Sequence, residues 1–273
     1  MSLDRTDSTR EDNDGPKPVT SVPALALANL VKRYGTVNAV DGLTLTVKQG
    51  RFFGFLGPNG AGKTTTVKML TGLAQPDSGS IEVLGMRLPA QSLEIRRQIG
   101  IVPDDSLLFD YLTGAEYLEF VARLYETPKP VAKARAGELL ELFELTDDRR
   151  KLIGEFSKGM RKRVAMAAAL IHRPRLFIMD EPFEGVDAVG ARLMKDILLG
   201  QVRHGATVFL TSHVLDVVER ICDEIAIVKG GRVVAQGTVD DLRQQAAQGA
   251  ATLEEIFVKL VGSPSHTGTL DWL

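Results

Sequence analysis

Gly57-Pro58-Asn59-Gly60-Ala61-Gly62-Lys63-Thr64 fits the pattern G-x-x-x-x-G-K-[ST] at every fixed position, and Thr65 follows it. Such a run suits one kind of chemistry, the binding of a polyphosphate. Glycines let successive backbone N–H groups curve around phosphate oxygens, and the start of a helix adds partial positive charge. With ATP as the nucleotide, Lys63 reaches the outer phosphates and the Thr64 hydroxyl is placed for Mg²⁺. A second apolar run, Leu176-Phe177-Ile178-Met179, ends in Asp180-Glu181. A carboxylate at a strand end can hold the metal, and its neighbour can accept a proton from an attacking water, so Asp180 is expected at Mg²⁺ and Glu181 as general base. Taken singly, a Gly-rich turn before a lysine or two acids in a solvated turn is ordinary; together they specify nucleotide hydrolysis.

The phosphate motif needs a strand before it and a helix after it. Residues 51–56 (RFFGFL) read as a buried strand, and about 62–73 as a helix. Apolar runs and helical patterns alternate from Ala24 onward, the signature of an α/β layer structure with a largely parallel sheet. Residues from about 104 to 155 break the alternation. Thr113 and Glu116 form a capping-box pattern, Leu118, Val121 and Tyr125 recur at helical spacing, and Pro128 and Pro130 separate this helix from another ending near Leu145. That stretch reads as a helical insertion. Beyond it a helix is expected over 157–171, strands over 176–179 and 207–211, and a helix near 189–199. Val214, Val218, Ile221, Cys222 and Ile225 follow as one apolar stripe running into a strand, and 226–237 as a hairpin turning at Gly230-Gly231.

Bulk properties narrow the surroundings. Lys and Arg number 33 against 35 Asp and Glu, so no chain-wide basic field points to nucleic acid or anionic lipid. The single cysteine, Cys222, excludes an internal disulfide and a redox pair, fits a reducing compartment, and reads as a core residue. The polar N-terminal run lacks the apolar core of a secretory signal, and no apolar run approaches the ~18 residues of a membrane span. Residues 1–22 are expected to be a disordered tail, 23–262 the folded domain with its helical part at about 104–156, and 263–273 a second tail.

On these motifs the chain resembles the nucleotide-binding subunit of an ATP-binding cassette (ABC) transporter, over nearly all of 24–262. Glu155-Phe156-Ser157-Lys158-Gly159-Met160 stands where that family has its signature motif; Ser157 and Gly159 match, while Lys158 and Met160 replace a glycine and a glutamine. Seen alone, Ser157 starts an ordinary capped helix. The resemblance implies that this helix end closes over the γ-phosphate held by a second subunit's phosphate loop, so that two copies share two composite sites. Thr211-Ser212-His213 resembles the switch-histidine loop, with His213 at the γ-phosphate beside Glu181. Gly185-Val186-Asp187 resembles the D-loop that crosses the dimer, and Tyr34 the aromatic that stacks on adenine. Ile99-Gly100-Ile101-Val102-Pro103-Asp104 resembles the Q-loop, with Asp104 in place of glutamine as a further ligand of Mg²⁺ or its water.

The implied fold is the α/β P-loop NTPase core of ABC ATPases, a mixed and largely parallel sheet with flanking helices, an α-helical subdomain and a small β subdomain. The implied function is hydrolysis of ATP to ADP and phosphate, coupled to transport by a separate transmembrane permease subunit at the cytoplasmic face of the plasma membrane. A homodimer with a second ATP-binding subunit is expected, and no nucleic-acid partner. Residues 122–125 and 252–257 most resemble the ABC-2 type drug and antibiotic exporters. Two alternatives stand beside this reading: a regulatory, weakly hydrolysing cassette paired with a different active one, and a non-transport ABC ATPase. The long coiled-coil insertion or second cassette typical of the latter is not in this sequence.

Overall fold

The structure, a computed structural model, describes residues 22–105, 107–245 and 252–262. The tails expected at 1–22 and 263–273 lie outside them, save for Val22. In chain order the first elements are β1 (Leu25–Tyr34), β2 (Val37–Val47), β3 (Phe52–Leu56), α1 (Lys63–Leu70), β4 (Ser78–Val83), β5 (Met86–Arg87), α2 (Ser92–Arg96) and β6 (Ile99–Val102). Two helices follow, α3 (Gly114–Leu124) and α4 (Lys129–Leu142), and then α5 (Lys158–Leu170), β7 (Leu176–Asp180), α6 (Ala188–Arg203), β8 (Thr207–Ser212) and α7 (Leu215–Ile221). The last are β9 (Glu224–Lys229), β10 (Arg232–Gly237), α8 (Val239–Gln245) and α9 (Leu253–Val261).

Six strands pair in the order β10-β9-β3-β8-β7-β6, all parallel except the β9–β10 hairpin. β3 is buried at every position because both of its faces are covered, which is why it reads as an unbroken apolar run. Its side chains alternate between two cores. Phe53 and Phe55 join Ile178, Phe209, Ala226 and Val228 on the face shared with α1 and the antiparallel sheet β2-β1-β4-β5. Phe52 and Leu56 join Phe177, Met179, Val208 and Leu210 on the face packed by residues of α5, α6, α7 and α9.

The middle segment is helical, as its capping pattern requires. Thr113 accepts from the Glu116 backbone N–H while the Glu116 carboxylate accepts from that of Thr113, a full capping box. Donation from the Thr113 N–H, and from its hydroxyl, holds the Glu116 carboxyl below its usual range. Pro130 falls within the first turn of α4, where its missing N–H has no helical partner to lose. A single antiparallel bridge, Thr113 to Leu152, draws the two ends of this segment together. The apolar stripe expected from Val214 begins later: Val214 precedes α7 and is 44% exposed, whereas Val218 is fully buried. Cys222 ends α7 against β3, and burial raises its thiol far above the ordinary range.

Gly54, central in β3, lets α7 lie on the sheet. A methyl group there would meet Val218 Cγ1 at 2.6 Å and Cys222 Sγ at 3.1 Å. Gly54→Ala should therefore push α7 outward and destabilise the chain by about 1–3 kcal/mol, measured by urea unfolding, since a β-branched, fully buried neighbour cannot swing aside.

Candidate active site

The turn between β3 and α1 is shaped by steric demand. A Cβ on Gly57 would lie 2.6 Å from the Val228 carbonyl oxygen, and one on Gly62, at φ +100°, would lie 2.3 Å from that of Ala39. Only glycine fits either place. Gly62 is the N-cap of α1 and offers no side-chain acceptor, and the first turn contains no acid, so the backbone N–H groups at the start of α1 are left for a ligand. Lys63 is buried; its Nζ donates to the carbonyls of Gly57 (2.7 Å) and Pro58 (3.4 Å) and lies 3.8 Å from Glu181 Oε1.

The acids sit at the end of β7. Asp180 is 2% exposed and pairs in register with Thr211 of β8. The Thr211 hydroxyl donates to Asp180 Oδ1 and accepts from the Glu181 backbone N–H at 3.2 Å, so one side chain serves both acids. Glu181 adopts φ +46°, a left-handed conformation uncommon for a residue with a side chain. Its carboxylate is 11% exposed, with Oε1 3.0 Å from His213 Nδ1 and Oε2 accepting from the His213 backbone N–H at 3.4 Å.

Lys63, Glu181 and His213 line one cleft of about 690 Å³, formed by residues 58–65 with Asp104 and Glu184 and walled by Val37 and Ala39, whereas Gly57, Asp180 and Thr211 stand outside its lining. Another cleft of about 720 Å³, between α4 and the end of α6, contains none of them. Tyr34 does not line the nucleotide-sized cleft; it is half exposed beneath the Lys32 ammonium, 5.6 Å from its ring centroid. Asp104 does reach it, and its carboxylate also lies 3.7 Å from Lys162 Nζ.

Residues 157–160 and 185–187 meet each other instead. Ser157 caps α5 by accepting from the Met160 N–H at 3.2 Å, and Met160 packs against the core. A Cβ on Gly159 would lie 3.3 Å from the Gly185 carbonyl oxygen and 3.6 Å from Val186 Cα. Gly185, at φ +74°, leaves room for the stem of Lys158, whose Nζ pairs with Glu184 at 2.8 Å. Asp187 caps α6 by accepting from the Gly190 N–H at 2.8 Å, which holds its carboxyl below the usual range.

Two contributors escaped the sequence reading, and a third, Thr211, was named there only as the start of the switch-histidine stretch, without its bonds to the acids. Glu184 lies just past the acid pair, and Lys162 was hidden among neighbouring cations. Only Lys162 carries a signal: it falls on the stripe Gly159–Lys162–Met166–Ala169, whose other members are buried and small or apolar. Burial lowers its ammonium below the usual range, and the Asp104 carboxylate opposes that shift. Among the described residues no three His, Cys, Asp or Glu side chains cluster as a ready metal cage. A donor set of one hydroxyl, Thr64, and one buried carboxylate, Asp180, suits Mg²⁺, which takes few protein oxygens and fills its shell with phosphate and water. Thr211→Val strips Asp180 of its donor. A loss of about 1–3 kcal/mol in stability is expected, together with a roughly tenfold or greater fall in ATP turnover, checked by denaturation and phosphate release.

Comparison with known proteins accounts for the constellation. The family model for ABC transporters matches residues 40–184. An ABC transporter ATP-binding protein of Nostoc sp. is 44% identical over 76% of this chain and 62% of its own length, so this chain spans less than two thirds of that relative. The daunorubicin resistance ATP-binding protein DrrA3 of Streptomyces coeruleorubidus is 41% identical over 81% and 70%, and the Nod factor export ATP-binding protein I of Ralstonia nicotianae is 37% identical over 85% and 72%. A solved ATP-binding subunit of an ABC transporter superposes with TM-score 0.82 at 34% identity, covering 87% of this chain and 99% of its own. The cassette MJ0796, solved as a dimer with ADP and Pi, gives 0.73 at 25% identity, covering 78% and 98%. Motif, fold and relatives agree: the chain belongs to the ABC transporter family, as an ATP-binding and ATP-hydrolysing subunit.

Proposed function

We propose that the chain hydrolyses Mg²⁺-ATP with Glu181 as general base and drives export through a separate permease. The observation that carries this is the setting of Glu181, a nearly buried carboxylate held between Lys63 and His213 at the mouth of the phosphate turn. Backbone N–H groups of 57 and 59–65 would take the phosphates, with Pro58 shaping the turn, and Lys63 the outer ones, while Tyr34 would stack on adenine from the edge of the cleft. Thr64, Asp180 and Asp104 or its water would hold Mg²⁺, which supplies charge neutralisation at the phosphates. Glu181 accepts a proton from the attacking water; His213 keeps its carboxylate aimed and meets the γ-phosphate. In a homodimer, Ser157, Lys158, Gly159 and Met160 would close on the partner's ATP, and Gly185, Val186 and Asp187 would cross between the sites.

The exporter reading draws on the resistance and export proteins among the relatives. No helix among the described residues is long and apolar enough to cross a membrane. The permease would instead receive the apolar surface around α3: Leu107 is 87% exposed, Tyr111 91% and Leu124 66%, and the Phe109 ring meets that of Phe120 at a tilt, centroids 5.4 Å apart. Large exposed apolar side chains gathered on one segment suit an interaction site. The chain would thereby lie at the cytoplasmic face of the plasma membrane.

Glu181→Gln keeps the shape and loses the base. Turnover should fall about 10²–10⁴-fold while ATP binding persists, and ATP should then hold the chain as a dimer in size-exclusion chromatography. Undiminished phosphate release would refute the assignment. A Leu107→Glu/Tyr111→Glu variant should keep ATP affinity within about twofold yet fail to copurify with the permease, because charge at the contact must be desolvated.

A further inference from the structure

Lys162 is the one charged residue on the core stripe of α5, with 1% of its surface exposed. A buried ammonium contributes little to stability, since an apolar side chain of similar volume does as well or better at such sites. Its contacts point to another use. Nζ donates to the Asp104 carbonyl at 2.6 Å and the Pro103 carbonyl at 3.2 Å, and lies 3.7 Å from the Asp104 carboxylate. These are the two residues through which the chain leaves β6 and enters the cleft. One turn earlier on the same helix, Lys158 holds Glu184 of the other acidic loop. Both loops that bring acids to the cleft are thus fastened to α5, one by a buried cation.

We propose that Lys162 is a positioning residue for hydrolysis: from the core face of α5 it clamps the Pro103–Asp104 loop and sets where the Asp104 carboxylate stands in the cleft. Three N–H donors on one ammonium match two carbonyls and one carboxylate. The Asp104 side chain is fixed from its own backbone outward, and the loop shares any displacement of α5. The role rests on the reading of this cleft as the hydrolytic site.

Lys162→Met in the full chain tests it, by steady-state phosphate release, binding of a fluorescent ATP analogue and thermal melting. The expected result is kcat lowered about tenfold with KM and analogue affinity within about twofold and no loss of melting temperature; Lys162→Arg, which keeps charge and several donors, should recover most of kcat. Because both groups act through one loop, adding Lys162→Met to Asp104→Asn should cost no more than the larger single effect. A kcat within twofold of the parent, or two effects that multiply, overturns the proposal. Should Lys162→Met not fold, the decision falls to the other two variants: kcat retained by Lys162→Arg and lowered by Asp104→Asn supports it, and the reverse overturns it. Normal turnover by Glu181→Gln would instead refute the site assignment itself, whatever Lys162 does.

Discussion

Everything at the cleft depends on the register of four parallel strands. Leu56 pairs with Ser212, Thr211 with Asp180, and Met179 with Val102, so β3, β8, β7 and β6 end along a single edge. Four loops leave that edge together and bring the phosphate turn, His213, Glu181 and Asp104 to one place. Register is strongly specified here because both faces are buried. A one-residue slip of β7 would exchange Phe177 and Met179 with Ile178 between two differently shaped cores and carry Asp180 away from Thr211. The catalytic geometry is thereby tied to the packing of Phe52, Phe53, Phe55 and Phe209, none of which touches the cleft.

How much of this was legible beforehand follows from where the information lies. Motifs whose chemistry is carried by backbone shape or by adjacent residues were readable: glycines at 57, 60 and 62 announce the turn, and an apolar run ending in Asp180-Glu181 announces a strand tip. The helical insertion was readable because capping and proline rules are local. What stayed hidden is what tertiary contact decides. Thr211 looks like any β-branched strand residue until β8 is laid beside β7. Lys158 looks like a departure from a motif until its partner Glu184 is brought within 2.8 Å. Tyr34, chosen by resemblance, stands at the edge of the cleft rather than in its lining, because β1 ends before the wall that Val37 and Ala39 form.

Three carboxylates, Asp104, Glu181 and Glu184, line the cleft, and a fourth, Asp180, is buried next to Glu181 outside the lining. Each has its own neighbour: Lys162, Lys63 with His213, Lys158, and the Thr211 hydroxyl. Of these contacts, the bond from Lys158 holds the Glu184 carboxyl below its usual range. Lys63 and Lys162 share a geometry: each ammonium bonds to two backbone carbonyls and stands farther from its carboxylate, at 3.8 and 3.7 Å. Of the two, Lys63 lines the cleft, where an incoming phosphate would meet its ammonium.

Two adjacent acids, Asp180 and Glu181, are set in different surroundings. In an extended strand, neighbours point to opposite faces, and Glu181 would then be driven toward the core across the sheet from Asp180. Its left-handed φ of +46° prevents this by turning the chain as it leaves β7. Such a conformation costs on the order of 1–3 kcal/mol and persists only where other contacts over-determine it. They are present: the Glu181 N–H is bound to Thr211, and both carboxylate oxygens have partners in His213. The strained residue leaves Asp180 inside, fixed against a hydroxyl, and sets the next carboxylate at the mouth of the phosphate turn. A single backbone torsion therefore separates a site suited to a metal from one suited to a proton.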